Sequence, residues 1–121
     1  MKNTLMAMWM WLAPAVVLAA GHGTGFYCDV NAMTKEQRAE HAKLARAVFA
    51  AVTEQRELKD GYAFRLPADR WLDAARWADL ERRCCPFFAF GLTSAPDSGA
   101  MWLRITGKPG VKAFMEAELG L

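Results

Sequence analysis

Many features that announce a function are missing from this chain of 121 residues. It has only three cysteines and two histidines. Three cysteines are too few for a miniprotein built on disulfides, and two histidines are few for a catalytic apparatus. No Ser/His/Asp constellation and no HExxH zinc motif is visible. Gly21, Gly23 and Gly25 precede no strand-to-helix turn, so they are not a phosphate loop. Neither charge sign is in excess: 15 Lys+Arg against 13 Asp+Glu leave +2. Nucleic acid binding needs a concentrated basic face, so no nucleic-acid partner is expected. There is no internal repeat and no low-complexity segment. An apolar fraction of 54% excludes disorder by composition, and the length allows one domain.

What is present begins with a distinct N-terminus. Lys2 is the only charge before Asp29, and every residue from Leu5 to Ala20 is apolar. One positive charge, an apolar run and small residues at its end describe a secretory signal over residues 1–20. The run contains Pro14 and is short of the roughly 20 residues that a spanning helix needs. Cleavage after Ala19 or Ala20 would leave a periplasmic or secreted domain. The alternative is an anchor, in which residues 5–20 stay in the membrane; that is the only membrane contact expected. Residues 21–33 read as a flexible leader and 34–121 as a single domain.

Thr34 with Gln37 has the spacing of a capping box, and a helix is expected to run from there to about Arg56. His41, Leu44, Ala45, Val48, Ala51 and Val52 recur at three- and four-residue steps and form its apolar stripe. After the turn signal Asp60-Gly61, the alternation of Tyr62, Phe64 and Leu66 predicts a half-buried strand. A second helix is predicted from about Ala68 to Cys84. Pro86 stops it. Its Asp73, Asp79 and Glu81 read as a solvated face with Arg76 and Arg83 as partners. The alternations Phe88/Phe90/Leu92 and Met101/Leu103/Ile105 predict a β-hairpin, and Val111, Phe114 and Met115 the inner side of a last helix. The expected fold is two-layer α+β in the order α-β-α-β-β-α, a three-stranded, mainly antiparallel sheet with helices on one face.

The chemistry concentrates in Glu81-Arg82-Arg83-Cys84-Cys85-Pro86-Phe87-Phe88. Adjacent α-carbons lie about 3.8 Å apart, below the usual disulfide range of about 4.4–6.8 Å, so Cys84 and Cys85 are poor partners for each other. Cys85 precedes proline and is pushed out of the helical region, which can turn both sulfurs toward a shared point. Three readings follow. The pair binds a soft metal or metalloid ion, Cu(I), Hg(II), As(III) or Zn(II), with Cys28 as third ligand and His41 assisting. Or Cys28 forms a disulfide with Cys84 or Cys85, stapling a non-catalytic structural or protein-interaction domain. Or the pair is buried packing. An exported metal-binding protein is the leading expectation, with an ion or a protein as partner and no catalytic residues assigned.

Phe26-Tyr27-Cys28-Asp29, Gly61 to Pro67, Glu81 to Phe88, Trp102 to Gly107 and Gly110-Val111-Lys112 together resemble a family of small uncharacterised bacterial proteins marked by ERRCCPFF and a following WLR-type strand. The resemblance implies that residues 26–118 form one unit. It implies no activity.

Overall fold

The computed structural model describes residues 25–97 and 99–121. The chain is α+β, with three α-helices and one four-stranded antiparallel sheet. In chain order these are α1 (Lys35–Ala50), β1 (Glu54–Leu58), β2 (Gly61–Leu66), α2 (Trp71–Cys84), β3 (Ala89–Ser94), β4 (Met101–Thr106) and α3 (Val111–Leu119). The strand order is β1-β2-β4-β3. The signal or anchor expected over residues 1–20 lies outside the described residues. Among the described residues, no helix is long and apolar enough to cross a membrane.

The expected capping box starts α1. Thr34 Oγ1 accepts from the Gln37 amide at 3.1 Å, and Gln37 Oε1 accepts from the Thr34 amide at 3.0 Å. The helix ends at Ala50, not at Arg56. A fourth strand, β1, occupies what was expected to be its last turn. The reason is visible in its side chains. Gln55, Arg56 and Glu57 are all exposed, so β1 has no apolar face and no two-residue alternation to betray it. It is an edge strand, where charged residues discourage pairing with other chains. Arg56 lies over the Trp102 ring, 4.5 Å from its centroid, on the open side of the sheet.

Gly61 lets the hairpin close on its neighbour. It pairs with Thr106 of β4, and a Cβ there would collide with the Ile105 carbonyl oxygen and the Thr106 Cα. Lys112 then ties α3 to this hairpin, donating to the Leu58 carbonyl at 2.8 Å and pairing with Glu57 at 2.8 Å.

Tyr62, Phe64 and Leu66 of β2 and Met101, Leu103 and Ile105 of β4 point to one side of the sheet. There they meet Val48 of α1, Ala74, Trp77 and Ala78 of α2, and Val111 and Met115 of α3. All three helices therefore cover that face. Arg65 and Arg104 project from the opposite one. A smaller apolar cluster of Met33, Leu80, Cys84 and Cys85 continues the core around the last turn of α2, with Cys28, Leu44, Phe87 and Phe88 packed on it.

Candidate functional site: three sulfurs at a helix end

Pro86 cannot continue α2, and Cys85 before it takes φ −126°, ψ 69°, outside the helical region. Cys84 is the last helical residue. The Cys85 amide still donates to the Glu81 carbonyl at 2.8 Å. The last carbonyls of a helix need partners from outside it. For Cys84 the partner is the amide of Asp29, at 2.8 Å. That bond lays residues 26–29 across the helix end and sets Cys28 beside Cys85.

Phe26 anchors the same segment. Its ring centroid is 4.9 Å from that of Phe87 and 6.3 Å from that of Phe114. Its ring edge also comes within 3.1 Å of where a Cβ on Gly110 would sit. Gly110 has φ 98°, so glycine serves both the left-handed backbone and the ring. The described part of the segment read as a leader is thus fastened to the domain. Val30–Ala32 form a short 3-10 turn capped by the Asp29 side chain.

The geometry selects one pairing among the two left open by the sequence. Cys28 and Cys85 form a disulfide with a Cα–Cα distance of 4.7 Å. Cys84 is the free thiol. Both members of the vicinal pair are buried, Cys84 3% and Cys85 0% exposed. Cys84 Sγ lies 3.5 Å from Cys85 Sγ and 3.4 Å from the Glu81 carbonyl oxygen. Only Cys84 carries a hydrogen to donate to either. Burial, and then the negative charge of Glu81, push its thiol up to about 11. At neutral pH Cys84 is therefore a protonated donor and not a thiolate.

One donor atom from each of Cys28, Glu81, Cys84 and Cys85 falls within a group no wider than 4.8 Å. The three cysteines expected to act together are thus brought together. His41, the fourth expected ligand, stands one step behind. Its Nε2 pairs with Glu81 Oε2, and its ring stacks 6.2 Å from that of Trp77. The pair is largely shielded, with side chains 22% and 12% exposed.

Glu81 corrects the expectation of a solvated face. Asp79 does behave that way, meeting Arg76, Arg82 and Arg83 at 3.1–3.5 Å. Glu81 instead turns inward. The signal was its place three and four residues before the cysteines and four after Trp77, which is the buried side of the helix.

A cleft of about 310 Å³ reaches Cys84 from the surface between Tyr27, Asp29, Arg83 and Pro86. No protein-family model, curated protein or solved structure matches this chain. The site and the fold define an α+β domain with a disulfide and a third sulfur beside it.

Proposed function

We propose that the protein is a small, non-catalytic, exported domain whose three sulfurs form a redox-gated site for a thiophilic metal or metalloid ion. The observation that carries this is the convergence of donor atoms from Cys28, Glu81, Cys84 and Cys85 within 4.8 Å. Two thiolates on one tetrahedral ion at about 2.3 Å bonds stand roughly 3.8 Å apart. Cys84 and Cys85 already hold their sulfurs at 3.5 Å.

In the disulfide form the gate is shut, because two of the three sulfurs are bonded to each other and the third is protonated. A thiol reductant opens it, delivering two electrons and two protons to the disulfide. The soft ion then displaces the thiol protons. Cu(I), Hg(II) and As(III) suit the sulfurs alone, and Zn(II) would add the Glu81 carboxylate. Export through residues 1–20 accords with a disulfide, which persists in oxidising compartments.

A second reading is favoured by the Cys28–Cys85 bond itself: a stapled structural or protein-interaction domain that never opens for an ion. Titration of the disulfide form and the phosphine-reduced form with Cu(I) or Hg(II) separates the two, followed by thiolate-to-metal absorption. The gated site predicts one equivalent bound by the reduced form and none by the oxidised form. Uptake is lost in a reduced Cys84→Ser/Cys85→Ser variant. Reduced wild type also lacks the staple, so the comparison is between equally unstapled chains. No uptake by the reduced protein, or uptake unchanged in the variant, leaves the stapled domain as the reading.

A further inference from the structure

The redox gate needs a way in, and the two ends of the disulfide are not equivalent. Cys85 is fully enclosed, whereas Cys28 is only partly buried and lies between exposed Tyr27 and Asp29. Thiol–disulfide exchange proceeds by attack of a thiolate on one sulfur while the other departs with the electron pair. Burial therefore assigns the two roles, and the sulfur least accessible to an incoming thiol is the one that leaves. A departing thiolate in an apolar pocket is costly unless a donor meets it. The Cys84 S–H stands 3.5 Å from Cys85 Sγ. Its other acceptor is the Glu81 carbonyl at 3.4 Å. A thiolate is a stronger acceptor than a neutral carbonyl, so the hydrogen turns toward Cys85 once the bond breaks.

Resting on the gated-site reading, we infer that a low-molecular-weight thiol opens the staple by attacking Cys28, with Cys85 as the leaving sulfur and the Cys84 thiol as the hydrogen-bond donor that receives it. In the first step the S–S bond between the incoming thiol and Cys28 forms as the Cys28–Cys85 bond breaks, and the electron pair goes to Cys85. A second thiol then attacks the mixed disulfide, releasing the small-molecule disulfide and leaving Cys28 as a thiolate that takes up a proton. Two small thiols are oxidised and one protein disulfide is reduced. The approach to Cys28 is its own partly exposed face between Tyr27 and Asp29; the cleft between Tyr27, Asp29, Arg83 and Pro86 opens beside it onto Cys84. Only part of Cys28 is exposed, which suits a small thiol better than a folded protein partner. Cys84 is in this account a positioning residue for the exchange as well as a ligand in the open state.

The test uses the oxidised protein and a limiting amount of 2-mercaptoethanol. The reaction is trapped with iodoacetamide and the peptides are mapped by mass. The expected result is a mercaptoethanol adduct on Cys28 with Cys85 newly alkylated. Cys84→Ala should reduce about tenfold more slowly, the equivalent of one hydrogen bond, and Cys84→Ser, which keeps a donor, should recover most of the rate. An adduct on Cys85, or equal rates in wild type and both variants, overturns the inference. Phosphine reduction bypasses this route, so failure here leaves ion uptake by the reduced protein untouched, and failure of ion uptake leaves the adduct map untouched.

Discussion

Replacing Cys28 or Cys85 with serine is expected to lower the unfolding free energy by about 4 kcal/mol. The two cysteines are 57 residues apart in sequence, and closing a loop of that length removes roughly this much chain entropy from the unfolded state. A domain of this size has only about 5–15 kcal/mol in total, so the variant is left close to the margin. The same change at Cys84, which closes no loop, should cost much less. Urea unfolding of the three single variants beside the wild type measures the difference. A loss under about 1 kcal/mol at Cys28 would mean that the Asp29–Cys84 hydrogen bond and the Phe26 packing already hold the segment without help. The same experiment bears on function, because the open site must bind its ion in a chain that has lost the staple and still folds.

Trp77→Ala should cost about 3–5 kcal/mol, the usual range for emptying a large aromatic site. Trp77 is 2% exposed and joins the layers of the fold. Its ring meets Phe49 of α1 at 5.1 Å and Phe90 of β3 at 5.9 Å, both edge to face. It also stacks on His41, so it backs the His41–Glu81 pair behind the sulfurs. Trp77→Phe should be far milder, because the indole Nε1 is buried without an acceptor among the described residues. Removing a polar group that makes no hydrogen bond offsets part of the lost volume. Thermal unfolding of the two variants checks the contrast. Equal losses would show that the indole nitrogen has a partner after all.

The parts of the fold that the sequence disclosed are those with local causes. Thr34 and Gln37 carry their own geometry, Pro86 terminates α2 whatever surrounds it, and the alternation at Met101, Leu103 and Ile105 records a sheet with one wet face. β1 escaped because none of its side chains is fully buried and it follows closely on a helical stripe that Val52 prolongs by spacing alone. The site divides the same way. A vicinal pair before proline marks the place, and Cys28 is the one remaining sulfur. Which of the pair it joins depends on the Asp29 amide reaching the Cys84 carbonyl, a contact across 55 positions that leaves no local pattern. Glu81 was hidden for a related reason. Its partner His41 lies 40 residues away, so its inward turn shows only in its helical phase relative to Trp77 and the cysteines.

Site and staple alike depend on one disulfide joining Cys28 to Cys85, with Cys84 left as a thiol beside it. Intact mass of the unreduced protein, before and after alkylation in denaturant, reads that pairing without a functional assay. The expected result is a deficit of two hydrogens relative to the fully reduced chain, one alkyl group added, and that group on Cys84. Three alkyl groups without any deficit, or a single group on Cys85 or Cys28, would contradict it.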